Sequence, residues 1–190
     1  MISVKHTIVA LVQDKPGVLN RVASMFRRRG FNISSLTVGP SELPALSRMT
    51  FVVEGDDSTL EQVAKQLHKL VDVVRVSELS EEDIVSREMA LIKVRATAQN
   101  RSEIIQMVDI FRANIVDVGS DALIIEVTGD EGKIDSLYEL LKPFGVREVM
   151  RTGRGAMTRG VVTVVNTENG RNQGNGTKDS KKYQDYEQIL

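Results

Sequence analysis

One order of apolar segments occurs twice along this chain, and that repetition limits the fold more than any other feature. In the first copy, Ile8 to Val12 is an apolar, β-branched run that reads as a strand. Val18, Val22 and Phe26, with Leu19 and Ala23, then fall on one helical face. Two further strands follow, Ile33 to Val38 and Met49 to Val53, joined by a Pro- and Ser-bearing loop. Ser58-Thr59-Leu60-Glu61 matches a capping box, and Leu60, Val63, Ala64, Leu67 and Leu70 stripe the second helix. Val73 to Val76 closes the set. The order is β-α-β-β-α-β, the split βαβ arrangement of ferredoxin-like folds.

The second copy follows with little sequence identity. Ala90 to Val94 reads as a strand, and Asn100-Arg101-Ser102-Glu103 caps a helix carrying Ile104, Val108 and Phe111. Ile115 to Val118 and Leu123 to Val127 are paired strands, Pro143 is expected to end the last helix, and Val146 to Met150 is the final strand. Glu54-Gly55-Asp56 has its echo in Thr128-Gly129-Asp130, and Leu60, Val63 and Leu67 fall opposite Ile134, Leu137 and Leu141. The expected class is α+β, with two ferredoxin-like βαββαβ units in tandem at residues 4–79 and 84–160. Ser80-Glu81-Glu82-Asp83 reads as a polar hinge between them. Residues 161–190, rich in Gly, Asn and Thr, are too polar to pack and read as a mobile tail.

Composition removes several functions. A net charge of −1 gives no reason to expect nucleic acid or an anionic membrane as a partner. The chain has no cysteine, so disulfides and thiolate metal sites are impossible. His6 and His68 are its only histidines, which leaves zinc chemistry and a histidine-based triad unsupported. RNA-recognition domains share the β-α-β-β-α-β order but stack bases on strand aromatics. Here the first strand has none and the third only Phe51. The carboxylates Glu54, Asp56, Asp57, Glu81, Glu82 and Asp83 sit where loops and helix caps place acidic groups anyway, so no catalytic constellation emerges. The first residues lack a signal-peptide core and no run reaches transmembrane length, so a soluble cytoplasmic protein is expected.

What remains is the turn Asp14-Lys15-Pro16-Gly17 between the first strand and first helix. Pro16 suits a helix start because its missing N–H would have been unpaired there. Gly17 lets another group approach the backbone, and the first-turn N–H groups with the positive end of the helix suit a small carboxylate. Asp14 and Asn32 offer polar partners for an ammonium if the fold brings them near. A carboxylate end and an ammonium end make an amino-acid site. The second copy begins Thr97-Ala98-Gln99-Asn100 and lacks this turn. Arg27, Arg28 and Arg29, which precede Gly30, read as cations at the helix's negative end.

Asp14 to Leu19, followed by Arg28-Arg29-Gly30-Phe31-Asn32-Ile33, resembles the ligand loop and second strand of ACT domains. The longer runs Arg29 to Pro40, Leu46 to Thr50 and Gln66 to Val76 resemble the small regulatory subunit of acetolactate synthase (acetohydroxyacid synthase), over roughly residues 4–160. The resemblance implies that the first unit is an effector-binding, dimerising ACT domain. It also implies a large catalytic subunit as partner, which this chain activates and places under feedback inhibition by a branched-chain amino acid, commonly valine. Thiamine diphosphate, Mg and FAD would then belong to that catalytic subunit and no cofactor to this chain. The implied effector residues are Asp14, Gly17, Val18, Leu19, Asn32 and Ile33. The family often has Asn where this chain has Asp14, and a carboxylate there attracts an ammonium and repels a carboxylate. The alternative is a stand-alone ACT-type amino-acid-binding regulator of another enzyme or of transcription.

Overall fold

The computed structural model describes residues 4–79 and 84–160. The hinge carboxylates Glu81, Glu82 and Asp83 and the tail at 161–190 lie outside them. In chain order the elements are β1 (Val4–Gln13), α1 (Val18–Arg29), β2 (Ile33–Pro40), β3 (Leu46–Gly55), α2 (Asp57–His68) and β4 (Val73–Leu79). Then come β5 (Ile84–Arg95), α3 (Arg101–Ile110), β6 (Asn114–Val118), β7 (Ala122–Gly129), α4 (Glu131–Gly145), β8 (Val146–Arg151) and β9 (Gly155–Thr158). Two antiparallel sheets result, β2-β3-β1-β4 and β6-β7-β5-β8, with β9 paired to β5. Both are the ferredoxin-like order the sequence suggests. Among the described residues, one compact unit holds the chain up to Val85 together with Ala156 onward, and the other holds Ser86–Gly155.

In the first unit the core lies between the sheet and its two helices. Ile8, Ala10 and Val12 of β1 and Met49, Phe51 and Val53 of β3 meet Val18, Val22, Met25 and Phe26 of α1 and Val63, Ala64 and Leu67 of α2. Met25 replaces Leu19 and Ala23 on the buried face of α1, because Leu19 is 46% exposed. The opposite face of this sheet is covered too. Val9 packs with Leu79, Ile84 and Ala156, and Leu11 with Leu43, Leu46 and Val74. Arg48 on that face donates from Nη2 to the Ala156 carbonyl at 2.7 Å, and burial lowers its pKa. The second unit builds its own core from Ala90, Ile92 and Val94, Ile104 and Val108, Leu123, Ile125 and Val127, and Ile134, Leu137 and Leu141.

Helix ends depart from expectation in two places. The cap of α2 is Asp56 rather than Ser58. Its carboxylate accepts from the Thr59 backbone N–H at 2.8 Å, from Thr59 Oγ1 at 2.7 Å and from Ser58 Oγ at 2.9 Å. A charged acceptor serves all three donors at once, which the Ser58 hydroxyl cannot. Helix α4 runs through Pro143 to Gly145. Proline forfeits one backbone bond there, and the left-handed Gly145 (φ 96°) stops the helix two residues later.

The Asp56 cap has a measurable signature. The Thr59 hydroxyl first, then the Thr59 N–H and the Ser58 hydroxyl, hold its carboxyl at about 2, below the ordinary 3.8. A folded pKa below the unfolded one means that the cap's contribution is fully present above about 3.8 and is lost as pH falls through about 2. An NMR titration should place the Asp56 midpoint near 2 and move it upward in Thr59→Val. A midpoint at the ordinary aspartate value would remove this cap from the description.

Among the described residues each sheet carries two bulges. Ser34 is the extra residue where Ile33 pairs Val53 and Ser35 pairs Val52, and Val74 is extra on β4 beside Leu11 and Val12. In the second sheet Val116 is extra on β6 and Arg147 on β8.

Candidate functional site

The turn after β1 is fixed by backbone bonds from two directions. The Gln13 N–H donates to the Asp72 carbonyl at 2.9 Å, and the Asp14 N–H to the Ala45 carbonyl at 2.8 Å. Ala45 sits at φ 59°, a left-handed conformation costing a residue with a Cβ about 1–2 kcal/mol, so this carbonyl is aimed at some expense. Lys15 N–H returns to Gln13 at 3.0 Å and Val18 N–H to Lys15 at 3.3 Å. Gly17, at φ 86°, is the left-handed residue from which α1 springs, and no side chain caps the helix. Among the described residues the N–H groups of Leu19 and Asn20 find no hydrogen-bond acceptor. No acidic residue occupies the first turn of α1. The turn is therefore an exposed, electropositive helix start, with Asp14, Lys15, Pro16 and Gly17 all on the surface.

The other proposed residues divide. Leu19 stands 46% exposed next to the turn, whereas the Val18 side chain is 3% exposed and belongs to the core, so only its backbone faces the turn. Asn32 is exposed, and Ile33 is half-buried against the core. Strand pairing sets these two apart from the rest. β3 runs antiparallel to both β1 and β2, with His6 and Ile33 each opposite Val53, and Gln13 opposite Leu46. Asn32 thus stands at the end of the sheet where β1 begins, and the turn where β1 finishes. Seven residue steps from His6 to Gln13 correspond to roughly 23 Å at about 3.3 Å per residue. Within one chain the two halves of the site do not meet.

Two residues of the turn escape a reading of the sequence. Arg21, one helical turn beyond Gly17, places Nη1 2.8 Å from Asp72 Oδ2. Its Nη2 lies 3.8 Å from where a Cβ on Gly17 would be. The i, i+4 spacing of Gly17 and Arg21 was the available signal, but an arginine on a half-exposed helix face ordinarily means nothing.

In the second unit the matching turn is closed by its own side chains. Arg101 donates from Nη2 to the carbonyls of Gly119 at 2.8 Å, Ser120 at 3.0 Å and Ala96 at 3.3 Å. Asn100 turns its Oδ1 back to accept from the Thr97 N–H at 2.7 Å instead of capping the helix.

The remaining candidates are structural. Glu54 accepts from Ser34 Oγ at 2.8 Å and Asp56 is a helix cap. Arg27, Arg28 and Arg29 are exposed in the last turn of α1. The His6 ring nitrogen Nε2 meets the Gly55 carbonyl at 3.2 Å. Among the described residues no three His, Cys, Asp or Glu side chains gather as metal ligands, and no helix is long and apolar enough to cross a membrane.

Comparison with known proteins bears on the family and the fold. Residues 8–75 match the model of the AHAS small subunit-like ACT domain, and residues 87–160 that of the small subunit of acetolactate synthase. An Archaeoglobus fulgidus protein described as a probable acetolactate synthase small subunit is 57% identical over 156 residues, 82% of this chain and 98% of the relative. The Mycobacterium bovis acetolactate synthase small subunit is 52% identical over 155 residues, 82% of this chain and 92% of the relative. The crystal structure of the Thermotoga maritima acetolactate synthase small subunit superposes with a TM-score of 0.79 at 50% identity, covering 84% of this chain and 99% of that one. A tandem ferredoxin-like chain whose first unit is an ACT domain and whose second matches the companion model belongs to the acetolactate synthase small-subunit family, the regulatory subunits of that synthase.

Proposed function

We propose that this chain docks on the large catalytic subunit of acetolactate synthase, activates it, and confers feedback inhibition by a branched-chain amino acid, valine, in the cytoplasmic synthesis of valine, leucine and isoleucine. Thiamine diphosphate, Mg and FAD belong to the catalytic subunit in this reading.

The observation that carries it is the division of the site across the sheet. Among the described residues β2 is an edge strand, and an edge invites pairing with another strand. Antiparallel pairing of β2 with its copy in a second chain brings the partner subunit's Asn32 from the far end to the end that holds the turn. The site is then completed only in a homodimer. The α1 start and Gly17 receive the effector carboxylate, Asp14 and the partner subunit's Asn32 the ammonium, and Leu19 offers apolar surface to a branched side chain.

The test is reconstitution. The chain is expected to sediment as a dimer and to co-purify with the catalytic subunit. It should also raise the rate of acetolactate formation from pyruvate and make that rate sensitive to valine. A stable monomer that binds valine undiminished would remove the composite site. Turnover of pyruvate by the chain alone would overturn the regulatory reading.

A further inference from the structure

We infer that Arg21 is the specificity-determining residue for the effector's carboxylate and that Asp72 is its positioning residue. This rests on the effector reading above and goes beyond it by assigning the charge that selects the ligand.

The guanidinium of Arg21 spans two environments. Nη1 lies 2.8 Å from Asp72 Oδ2, whose side chain is only 9% exposed, while the Arg21 side chain is 52% exposed. That distance makes an ion pair, yet the N–H is not aligned on the oxygen, and Oδ2 accepts no hydrogen bond among the described residues. The guanidinium is therefore held by charge but not locked by geometry. Its other nitrogen borders the space that the missing Gly17 side chain leaves open, 3.8 Å from the Cβ position. The N–H groups of Leu19 and Asn20, in the first turn of the same helix, find no acceptor among the described residues. A carboxylate entering there meets two backbone donors and one charged donor, and arginine is the side chain whose paired donors fit a carboxylate. Asp72 also fixes the turn itself, since its carbonyl accepts the Gln13 N–H at 2.9 Å. One buried residue thus sets both the turn's backbone and the arginine beside it.

The second unit offers the internal contrast. The arginine at its matching turn, Arg101, spends Nη2 on three carbonyls of its own chain. Arg21 keeps Nη2 free of any hydrogen bond to the described residues.

The experiment is calorimetric titration of the full chain with valine and with valinamide at mildly acidic pH, where both amines carry a proton. Valinamide retains the ammonium and the branched side chain and lacks only the carboxylate charge. Removing Arg21 alone leaves Asp72 buried and unpaired, which threatens folding. The variants are therefore Arg21→Gln with Asp72→Asn, Asp72→Asn alone, and Gly17→Asp, each checked by circular dichroism. A hydrogen bond to a charged group is worth about tenfold to a hundredfold in affinity. The double variant is expected to lose about that factor for valine while its affinity for valinamide stays unchanged. Asp72→Asn should lose part of the same preference, because the guanidinium remains but is no longer held. A folded double variant that still prefers valine as the wild type does would overturn the assignment to Arg21. If instead Gly17→Asp binds valine as tightly as wild type, the turn is not the effector site and the assignment falls with it.

Discussion

Gly17→Asp is expected to leave the small subunit assembled on its catalytic partner and to abolish inhibition by valine. An aspartate tolerates the left-handed backbone better than most residues, at a cost of about 1 kcal/mol. Its Cβ would rest 3.8 Å from Arg21 Nη2, ordinary contact with no clash. The new carboxylate then occupies the electropositive helix start from within the chain and repels the effector's own. Like charges about 4 Å apart cost roughly 1 kcal/mol in water and about four times that near a protein surface. Allosteric coupling is typically about 1–3 kcal/mol, so the substitution exceeds what the effector has to transmit. In the proposed reading docking requires no ligand, so activation should survive. Asn32→Ala should desensitise in the same direction by deleting a polar partner, with less change to the charge. The readout is a valine titration of the reconstituted synthase. Inhibition at the wild-type valine concentration by a normally assembled Gly17→Asp would place the effector site elsewhere.

Phe51→Ala should be the most damaging single truncation in the first unit. Phe51 is fully buried at the centre of β3 and stacks on Phe26 of α1, with centroids 5.3 Å apart and planes 23° apart. Phe26 in turn meets Phe31 edge-on at 6.3 Å. The three rings join sheet to helix with Phe26 between the other two, and removing Phe51 leaves a void against the Phe26 face on which it stacks. Such truncations cost about 3–5 kcal/mol, against a total stability of about 5–15 kcal/mol for a domain. Urea unfolding should show the midpoint falling by a corresponding amount. A loss under about 1 kcal/mol would mean that the aromatic cluster closes over the gap and is not the keystone of this core.

The order of strands and helices was legible because both periodicities are clean. Val63, Ala64 and Leu67 repeat at helical spacing, and Ile8, Ala10 and Val12 alternate with a second apolar row that is also buried. The Asp14–Gly17 turn was legible from proline and glycine chemistry alone. What escaped the sequence has physical reasons. β9 has four residues and one buried side chain, Ala156, too little for any period to register. Leu19 and Ala23 fit the helical stripe as well as Met25 does, and only packing against the sheet decides among them. Arg21 and Asp72 are 51 positions apart in sequence, and nothing local to either marks the other as its partner. The strain at Ala45 is likewise invisible, since alanine carries no turn signal. The separation of Asn32 from the turn is a matter of strand direction, which composition does not encode.

The bulges at Ser34 and Val116 mark places where this chain can change length. A residue gained or lost within a regular stretch of ladder inverts every side chain beyond it, turning a core face toward water. At a bulge the extra residue opposes nothing, so the pairing on both sides is already continuous without it. Ile33 and Leu36 keep to the core side three positions apart for this reason, as Ile115 and Val118 share a parity across Val116. Excision of Ser34 or Val116 therefore preserves each strand's facing, where excision of a neighbour two positions along reverses it. In both copies the point of tolerance falls on the edge strand, where a second chain would be expected to read the spacing.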